Sequence, residues 1–429
     1  MIAAEKIRPI WNTVSGGIYS HNAHFFLGFF CILLEEHLAE NIYLRRNNMG
    51  NERILVMNLG STSSKIAVYD NDKEVFNDTI RHSTEELAPF GDVTEQYEFR
   101  YNKIKESLAS NGISMDSLTA AVSRGGNIIP CPHGAIGIDQ AMIDFLTRPE
   151  DLAKHPSLIG SMIAYDLHKE RGIPVCIYDA IGTDEKMPLA RVSGVPEIPH
   201  FTVGHTLNTR AMAIKCAEET LGKKFDECTF IVAHLGGGSS IRLYKDGVNI
   251  DSVNDDEGNF TPERGGGVSA KRLVDLCYSG KYTYKEAMKL FHGKGGLSAH
   301  LGTVDARDVE ARIAEGDEYA KIVYEAMAFN VAKDIAKLSA VVCGKVDRII
   351  LTGGIAFSKY ISGYIKDHVE FICPVEIMPG EFEMEALAAG CLRVLRGEEE
   401  LQDFGEIAAT AEERISIVPG VKPGTVPAR

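Results

Sequence analysis

Positive charge is scarce in this chain: 45 Lys and Arg stand against 60 Asp and Glu, a formal net charge of -15. That balance excludes broad attraction to nucleic acid or to an anionic membrane, so any phosphate the protein handles must be held by local groups. The nine cysteines are odd in number and scattered, with no C-x-x-C pair. Neither a disulfide framework nor a zinc site is indicated, and the expected compartment is the reducing cytoplasm. Long apolar runs are also missing. Phe25–Leu34 (FFLGFFCILL) is too short to span a bilayer, leads into Glu35-Glu36, and is followed by no small-residue cleavage site of a signal peptide. Tryptophan occurs once, at Trp11, in a stretch that lacks the strand and helix patterns found downstream. Met49-Gly-Asn-Glu-Arg-Ile-Leu-Val reads as a natural start, so residues 1–48 are expected to be an N-terminal extension outside the catalytic fold. The competing reading is a helix that docks on a partner.

What is present is a globular composition, 45% hydrophobic over 429 residues, enough for a sizeable core and more than one domain. Strand patterns at 54–57, 66–69, 119–123, 175–178, 230–233, 241–244 and 348–351 alternate with helix patterns at 102–110, 156–171, 207–221, 319–342 and 383–395. Such alternation predicts an α/β architecture. The tail from Leu401, which contains several prolines, is expected to be loosely ordered.

A repeat is the most informative feature. Val56-Met-Asn-Leu-Gly-Ser-Thr-Ser-Ser-Lys-Ile-Ala-Val-Tyr69 is echoed by Val232-Ala-His-Leu-Gly-Gly-Gly-Ser-Ser-Ile-Arg-Leu-Tyr244, one residue shorter. Each reads as strand, glycine and hydroxyl turn, strand, followed by a further turn and a third strand. Gly60 would let backbone N–H groups converge on an anion, with Ser61 and Ser63 as hydroxyl donors and Lys65 as a full charge. An ordinary hairpin turn has similar composition; duplication at Gly236, Gly237, Gly238 and Ser239 favours phosphate binding. Neither turn is a Walker loop or a dinucleotide fingerprint. A third glycine element, Gly353-Gly354-Ile355 after the strand 348–351, offers flat backbone to a base or ribose.

In this order, Asn-x-Gly-Ser-x-Ser-x-Lys, His-Leu-Gly-x-Gly-Ser-Ser and Thr-Gly-Gly-Ile resemble the acetate and butyrate kinase family, in the actin, sugar kinase and chaperone ATPase superfamily. The resemblance runs from about Arg53 to about Glu400 and is greatest to the butyrate kinase branch. Ser123-Arg-Gly-Gly126, His155-Pro-Ser-Leu-Ile-Gly160, Phe260-Thr-Pro-Glu-Arg264 and Pro379-Gly-Glu-Phe-Glu-Met-Glu-Ala-Leu387 are among the segments that carry it.

The resemblance implies two duplicated ribonuclease-H-like domains, 49–203 (with the helix 383–397) and 204–382, enclosing a cleft and followed by a tail at 398–429. It implies reversible phosphorylation of a short-chain fatty acid, such as butyrate or isobutyrate, to its acyl phosphate. ATP/ADP and Mg2+ are the implied cofactors, and a homodimer or larger homo-oligomer the implied assembly. By matching position, Arg124, Asp179, His205 and Arg264 are the expected catalytic residues, with Lys271 and Arg272 as rivals to Arg264. His234 belongs with the second phosphate turn. Asn58, Asp179 and Glu385 are the expected magnesium-organising residues, and Gly126, Gly204 and Pro262 the expected acyl pocket. Because relatives carry Phe-His where this chain has Gly204-His205, an enlarged acyl pocket is expected. Two competing functions are a sugar or polyol kinase, with Asp179 as base, and an ATP-hydrolysing scaffold.

Overall fold

The computed structural model describes residues 51–126, 128–148, 155–418 and 421; the extension at 1–48 lies outside them. From Glu52 onward the chain forms one compact unit containing two sheets.

The first sheet has seven strands, β1 (Arg53–Leu59), β2 (Ser63–Asp70), β3 (Lys73–Arg81), β4 (Ala120–Ser123), β5 (Ala135–Gly137), β6 (Val175–Tyr178) and β12 (Leu401–Gln402). The second has five, β7 (Thr229–Leu235), β8 (Ser239–Lys245), β9 (Val248–Val253), β10 (Arg348–Thr352) and β11 (Val375–Ile377). Their orders are β12-β5-β6-β4-β1-β2-β3 and β11-β10-β7-β8-β9. The repeat seen in the sequence is therefore a repeat of topology. In each sheet an antiparallel three-stranded meander continues through its first strand into parallel partners, β4 and β6 in one and β10 and β11 in the other. Even an irregularity is repeated: the register shifts between Val68 and Tyr69 and between Leu243 and Tyr244, at matching places in the two hairpins.

Both faces of the parallel strands are covered, so β4 and β6 are buried throughout and read as continuous apolar runs rather than alternating ones. Helices Tyr97–Ser110 and Ser157–Arg171 cover one face of the first sheet through Ile104, Leu108, Ile159 and Ile163. On its other face lies Glu383–Leu395, whose Leu387, Cys391 and Leu392 pack with Ile54, Val56 and Tyr178. The second sheet is backed by Glu318–Val341 and Lys359–Val369. Helix Thr206–Lys215 serves both sheets: Leu207 enters the core of the first, and Met212 and Ala213 that of the second. These two packing duties bring the turn tips of the two hairpins to one cleft.

The expectation for the tail is corrected. β12 pairs with β5, and Phe404–Arg414 is a helix that buries Phe404, Ile407 and Ala411. Asp403 caps it by accepting from the Glu406 N–H. The cap and the apolar spacing outweigh the prolines that follow further on.

Candidate active site

A cavity of about 320 Å³ is lined by Asn58, Gly60, Ser63, Lys65, Arg124, His205, His234, Gly236, Gly237, Glu381 and Glu383. Both glycine turns thus face one space, with the arginine after β4 and two histidines between them. Ser61 is exposed at the tip of the first turn. The first turn closes with a Gly60 N–H to Ser63 carbonyl bond of 2.8 Å, the second with Gly236 N–H to Gly238 carbonyl at 2.9 Å. Ser239 is buried and donates to the His234 carbonyl at 3.1 Å, so its hydroxyl holds the second turn's shape.

The histidines stack, ring centroids 4.0 Å apart and planes 10° from parallel. Burial, reinforced by His234 and by Arg124, Arg242 and Arg264, holds the pKa of His205 well below its ordinary value. Burial, then Arg124 and Arg242, brings that of His234 down to about 4. Both rings are therefore neutral at physiological pH, and each has one N–H to give. His205 Nδ1 lies 3.0 Å from Ser240 Oγ. His234 Nδ1 lies 2.8 Å from Asn208 Oδ1, while the Asn208 amide donates to the Gly380 and Glu381 carbonyls. Asn208 thereby couples the second turn to the segment that enters helix Glu383–Leu395.

Arg264 approaches the same place from the loop after β9. Its Nε is 3.4 Å from Asp255 Oδ2 and 3.8 Å from where a Cβ on Gly238 would stand. The loop is pinned by an isolated bridge to His292 and by the Thr261 N–H to Arg264 carbonyl bond of 3.1 Å. Lys271 and Arg272 are exposed on helix Ala270–Cys277, which buries no side chain. Of the three cations weighed from sequence, Arg264 is the one beside His205.

Three groups of expected residues lie outside the lining of this cleft. Glu385 lines a separate cavity of about 340 Å³ with Tyr178, Lys215, Phe382 and Arg393. The carboxylates in the cleft are Glu381 and Glu383, and Glu383 accepts from Arg124 Nη1 at 2.9 Å and Asn58 Nδ2 at 2.5 Å. The cause is local: Phe382 has a left-handed backbone, φ 46°, so the alternation of acids at 381, 383 and 385 does not continue straight into the helix. Asp179 lines that second cavity too. Its side chain is 1% exposed and is taken up by the Gly134 N–H at 2.8 Å and by Arg210 at 3.3 Å. The acyl-pocket residues are dispersed. Gly126 is buried against Leu146 and Leu158, and Pro262 lines a small crevice with Leu235, Met327 and Ile355. Gly204 has φ 122°, and a Cβ there would stand 2.4 Å from Ser240 Oγ and 3.8 Å from an Arg242 guanidinium nitrogen. The missing aromatic leaves no void, because the polar side chains of β8 fill that space.

The third glycine element adjoins the second turn. Gly353, φ 86°, would place a Cβ 2.4 Å from the Leu235 carbonyl oxygen, so only glycine lets this backbone cross β7. Gly354 is exposed with open space beside it, and Ile355 lines the crevice shared with Gly236 and Ser239.

Sequence reasoning missed Arg100. It is fully buried beneath the first turn and donates to backbone oxygens of Gly60 at 2.9 Å, Ser61 at 3.1 Å and Ser63 at 3.3 Å. The available signal was its position in the core-facing stripe of Tyr101, Ile104 and Leu108, with the partly buried Tyr97, where a surface arginine does not belong.

Comparison with known proteins identifies the chain's relatives. Residues 208–372 match the Acetokinase family. Butyrate kinase 1 of Clostridium acetobutylicum is 43% identical over 354 residues, 82% of this chain and 99% of that protein. A probable butyrate kinase 2 of Caldanaerobacter subterraneus subsp. tengcongensis is 44% identical over the same span. Among solved structures, Porphyromonas gingivalis acetate kinase superimposes with TM-score 0.65 at 19% identity, covering 80% of this chain and 99% of its own. A propionate kinase from Francisella tularensis gives TM-score 0.62 at 18% identity, covering 79% and 98%. The structures share the fold and the curated relatives share the sequence almost end to end: the chain belongs to the butyrate kinase branch of the acetokinase family.

Proposed function

We propose that the protein transfers the terminal phosphoryl group of ATP to the carboxylate of a short-chain fatty acid, butyrate or a branched four- or five-carbon acid, in a reversible reaction. The observation that carries this reading is the meeting of Arg124, His205 and His234 with both glycine turns around one cavity. Curated relatives named butyrate kinase support the acid's class.

The chemistry needs no base, because the acid is already ionised at neutral pH and is itself the nucleophile. The work lies in holding two anions in line and spreading the charge of the transferring group. Arg124 and Arg264 supply fixed positive charge. Neutral His205, accepting from the Ser240 hydroxyl at Nδ1, presents Nε2–H as a donor to the phosphoryl oxygens. The turns at Gly60–Lys65 and His234–Ser239 hold the nucleotide phosphates, and Gly353–Ile355 the adenosine. A sugar kinase would need a free carboxylate base, and Asp179 is occupied by Arg210.

Magnesium fits the oxygen donors available: the Glu383 carboxylate, the Asn58 amide oxygen and the nearby Glu381. Among the described residues no group of three or more His, Cys, Asp or Glu could hold a metal; magnesium usually keeps several waters and leans on substrate phosphates. When bound, it would neutralise phosphate charge. We further assign the two lobes to 49–203 with 383–397, joined by strand β12 and helix Phe404–Arg414, and to 204–382, closing over ATP to exclude water. The assembly is a homodimer or larger, working in the cytoplasm. No helix among the described residues is long and apolar enough to cross a membrane.

The test is ATP- and magnesium-dependent acyl-hydroxamate formation with hydroxylamine across acetate, propionate, butyrate, isobutyrate and isovalerate. A maximum in kcat/KM at four or five carbons supports the reading. ATP turnover with no hydroxamate from any acid refutes it.

A further inference from the structure

Burying a guanidinium without an anion is costly, and structures normally offset the cost with a carboxylate. Among the described residues no carboxylate pairs with Arg100. Nε donates to Gln96 Oε1 at 2.9 Å; Nη1 reaches the Gly60 and Ser63 carbonyls and Ser64 Oγ at 3.2 Å; Nη2 donates to the Ser61 carbonyl at 3.1 Å. All of these acceptors are neutral. Burial is the influence that acts on the group, lowering its pKa to about 10, so it stays charged at physiological pH. On the far side of Ser64, His82 Nε2 lies 2.9 Å from the hydroxyl and is held neutral, chiefly by burial, so it adds no second positive charge.

The arrangement has a direction. Arg100 gathers the Gly60, Ser61 and Ser63 carbonyl oxygens onto one guanidinium. It thereby sets a full positive charge behind the turn. Nothing else on helix Tyr97–Ser110 reaches the turn by a side-chain hydrogen bond among the described residues, and the cleft lining does not include Arg100.

We infer that Arg100 is a positioning residue for nucleotide phosphate: it presets the first turn from beneath, and the phosphate is the anion that its buried charge lacks. The inference rests on the reading of that turn as a phosphate site. It makes nucleotide affinity depend on a side chain that never touches the nucleotide, and it makes that dependence specific to the phosphates.

The test is calorimetric binding of ATP (with magnesium) and of adenosine to the full chain, comparing wild type with Arg100→Gln and Arg100→Lys. A buried unit charge roughly 8 Å from an anion at an effective dielectric near 20 is equivalent to about 30-fold in affinity. Arg100→Gln is therefore expected to weaken ATP by at least about tenfold while adenosine changes less than about twofold. Arg100→Lys keeps the charge but loses the fork, and its ATP affinity is expected to fall between the two. In turnover, KM for ATP rises and KM for the carboxylate does not. Unchanged ATP affinity in both variants, or parallel loss of ATP and adenosine in Arg100→Lys, overturns the inference. If Arg100→Gln does not fold, Arg100→Lys decides alone. A wild-type protein that prefers ATP to adenosine not at all overturns instead the reading of the turn, so the two failures are separable.

Discussion

Replacing Glu383 by glutamine tests the carboxylate that the structure puts in the cleft, and Glu385→Gln is its control. Glu383 is 14% exposed at its side chain and bonds Arg124 Nη1 at 2.9 Å and Asn58 Nδ2 at 2.5 Å. Charge-assisted bonds of this kind contribute about 1.5–3 kcal/mol each. Glutamine keeps one acceptor oxygen but turns an amide N–H toward one of two donors, so about 2–4 kcal/mol of site organisation is lost. At 1.36 kcal/mol per tenfold this is about 30-fold to 1,000-fold in kcat/KM. The loss should fall on kcat, and half-saturating magnesium should rise. KM for the acid should stay level or fall, because Arg124 is released. Glu385→Gln, whose side chain lines the other cavity, should stay within about threefold. The assay is the hydroxamate reaction with magnesium and butyrate varied independently. The reasoning fails if Glu385→Gln is the damaging substitution, or if Glu383→Gln acts only by raising KM for the acid.

Arg264→Ala should lower kcat by about 100-fold or more, the usual loss when one donor to a developing anion is removed, while Arg272→Ala, on an exposed helix, should leave kcat within about twofold; equal effects would return the loop assignment to the open. Gly204→Ala places a Cβ 2.4 Å from Ser240 Oγ at φ 122°. It should cost about 2–4 kcal/mol in urea unfolding, from backbone strain and the lost Ser240–His205 bond, without shifting acid preference toward shorter chains. His82 and His234 each have a folded pKa of about 4 against an ordinary 6.5. The unfolded chain therefore binds more protons as pH falls through 6.5, and stability present above that pH is lost toward 4. Between pH 7 and 5 each should remove about 2 kcal/mol, and His234→Gln should remove its share of the slope in denaturant titrations.

The strands at 54–57, 119–123, 175–178, 230–233 and 348–351 were legible because strands covered on both faces are apolar throughout, whereas the short edge strands β5, β11 and β12 and the sheet order were not; the duplication was legible because turn chemistry needs glycine and hydroxyls at fixed places. Helix ends at Ser157–Arg171, Glu318–Val341 and Glu383–Leu395 lay within a residue or so of their sequence patterns. What could not be read was the direction in which individual polar side chains turn. Glu381, Glu383 and Glu385 alternate, and only the left-handed turn at Phe382 with the helix that starts at Glu383 parts Glu385 from the other two. Asp179 ends a buried strand where sites are often found, yet Arg210, from a helix about 30 residues on, claims its carboxylate. Gly204 suggested empty space, because a missing side chain says nothing of what a neighbouring strand places there. Arg100 was readable in principle, from a helical stripe, and was passed over because charged neighbours at Glu98, Lys103 and Lys105 made it look like one more surface charge.

The two turns show why duplication alone does not give a symmetric site. The first is held from below by a buried cation, and its carbonyls are committed before any ligand arrives. The second is held by neutral donors, Thr261 Oγ1 to the Gly237 carbonyl at 2.5 Å and Ser239 Oγ to the His234 carbonyl at 3.1 Å. Its cation, Arg264, stands on the open side, on a loop fixed by backbone bonds to Thr261 and Phe291. A charge beneath the turn attracts phosphate whether or not it is being transferred, so it acts on binding. A charge facing the histidines meets the group only as it passes between oxygens, so it acts on the barrier. On the proposed reading the common hairpin supplies a glycine turn twice, closed differently in each, and the position of one arginine relative to each turn would divide the holding of the nucleotide from the transfer of its phosphoryl group.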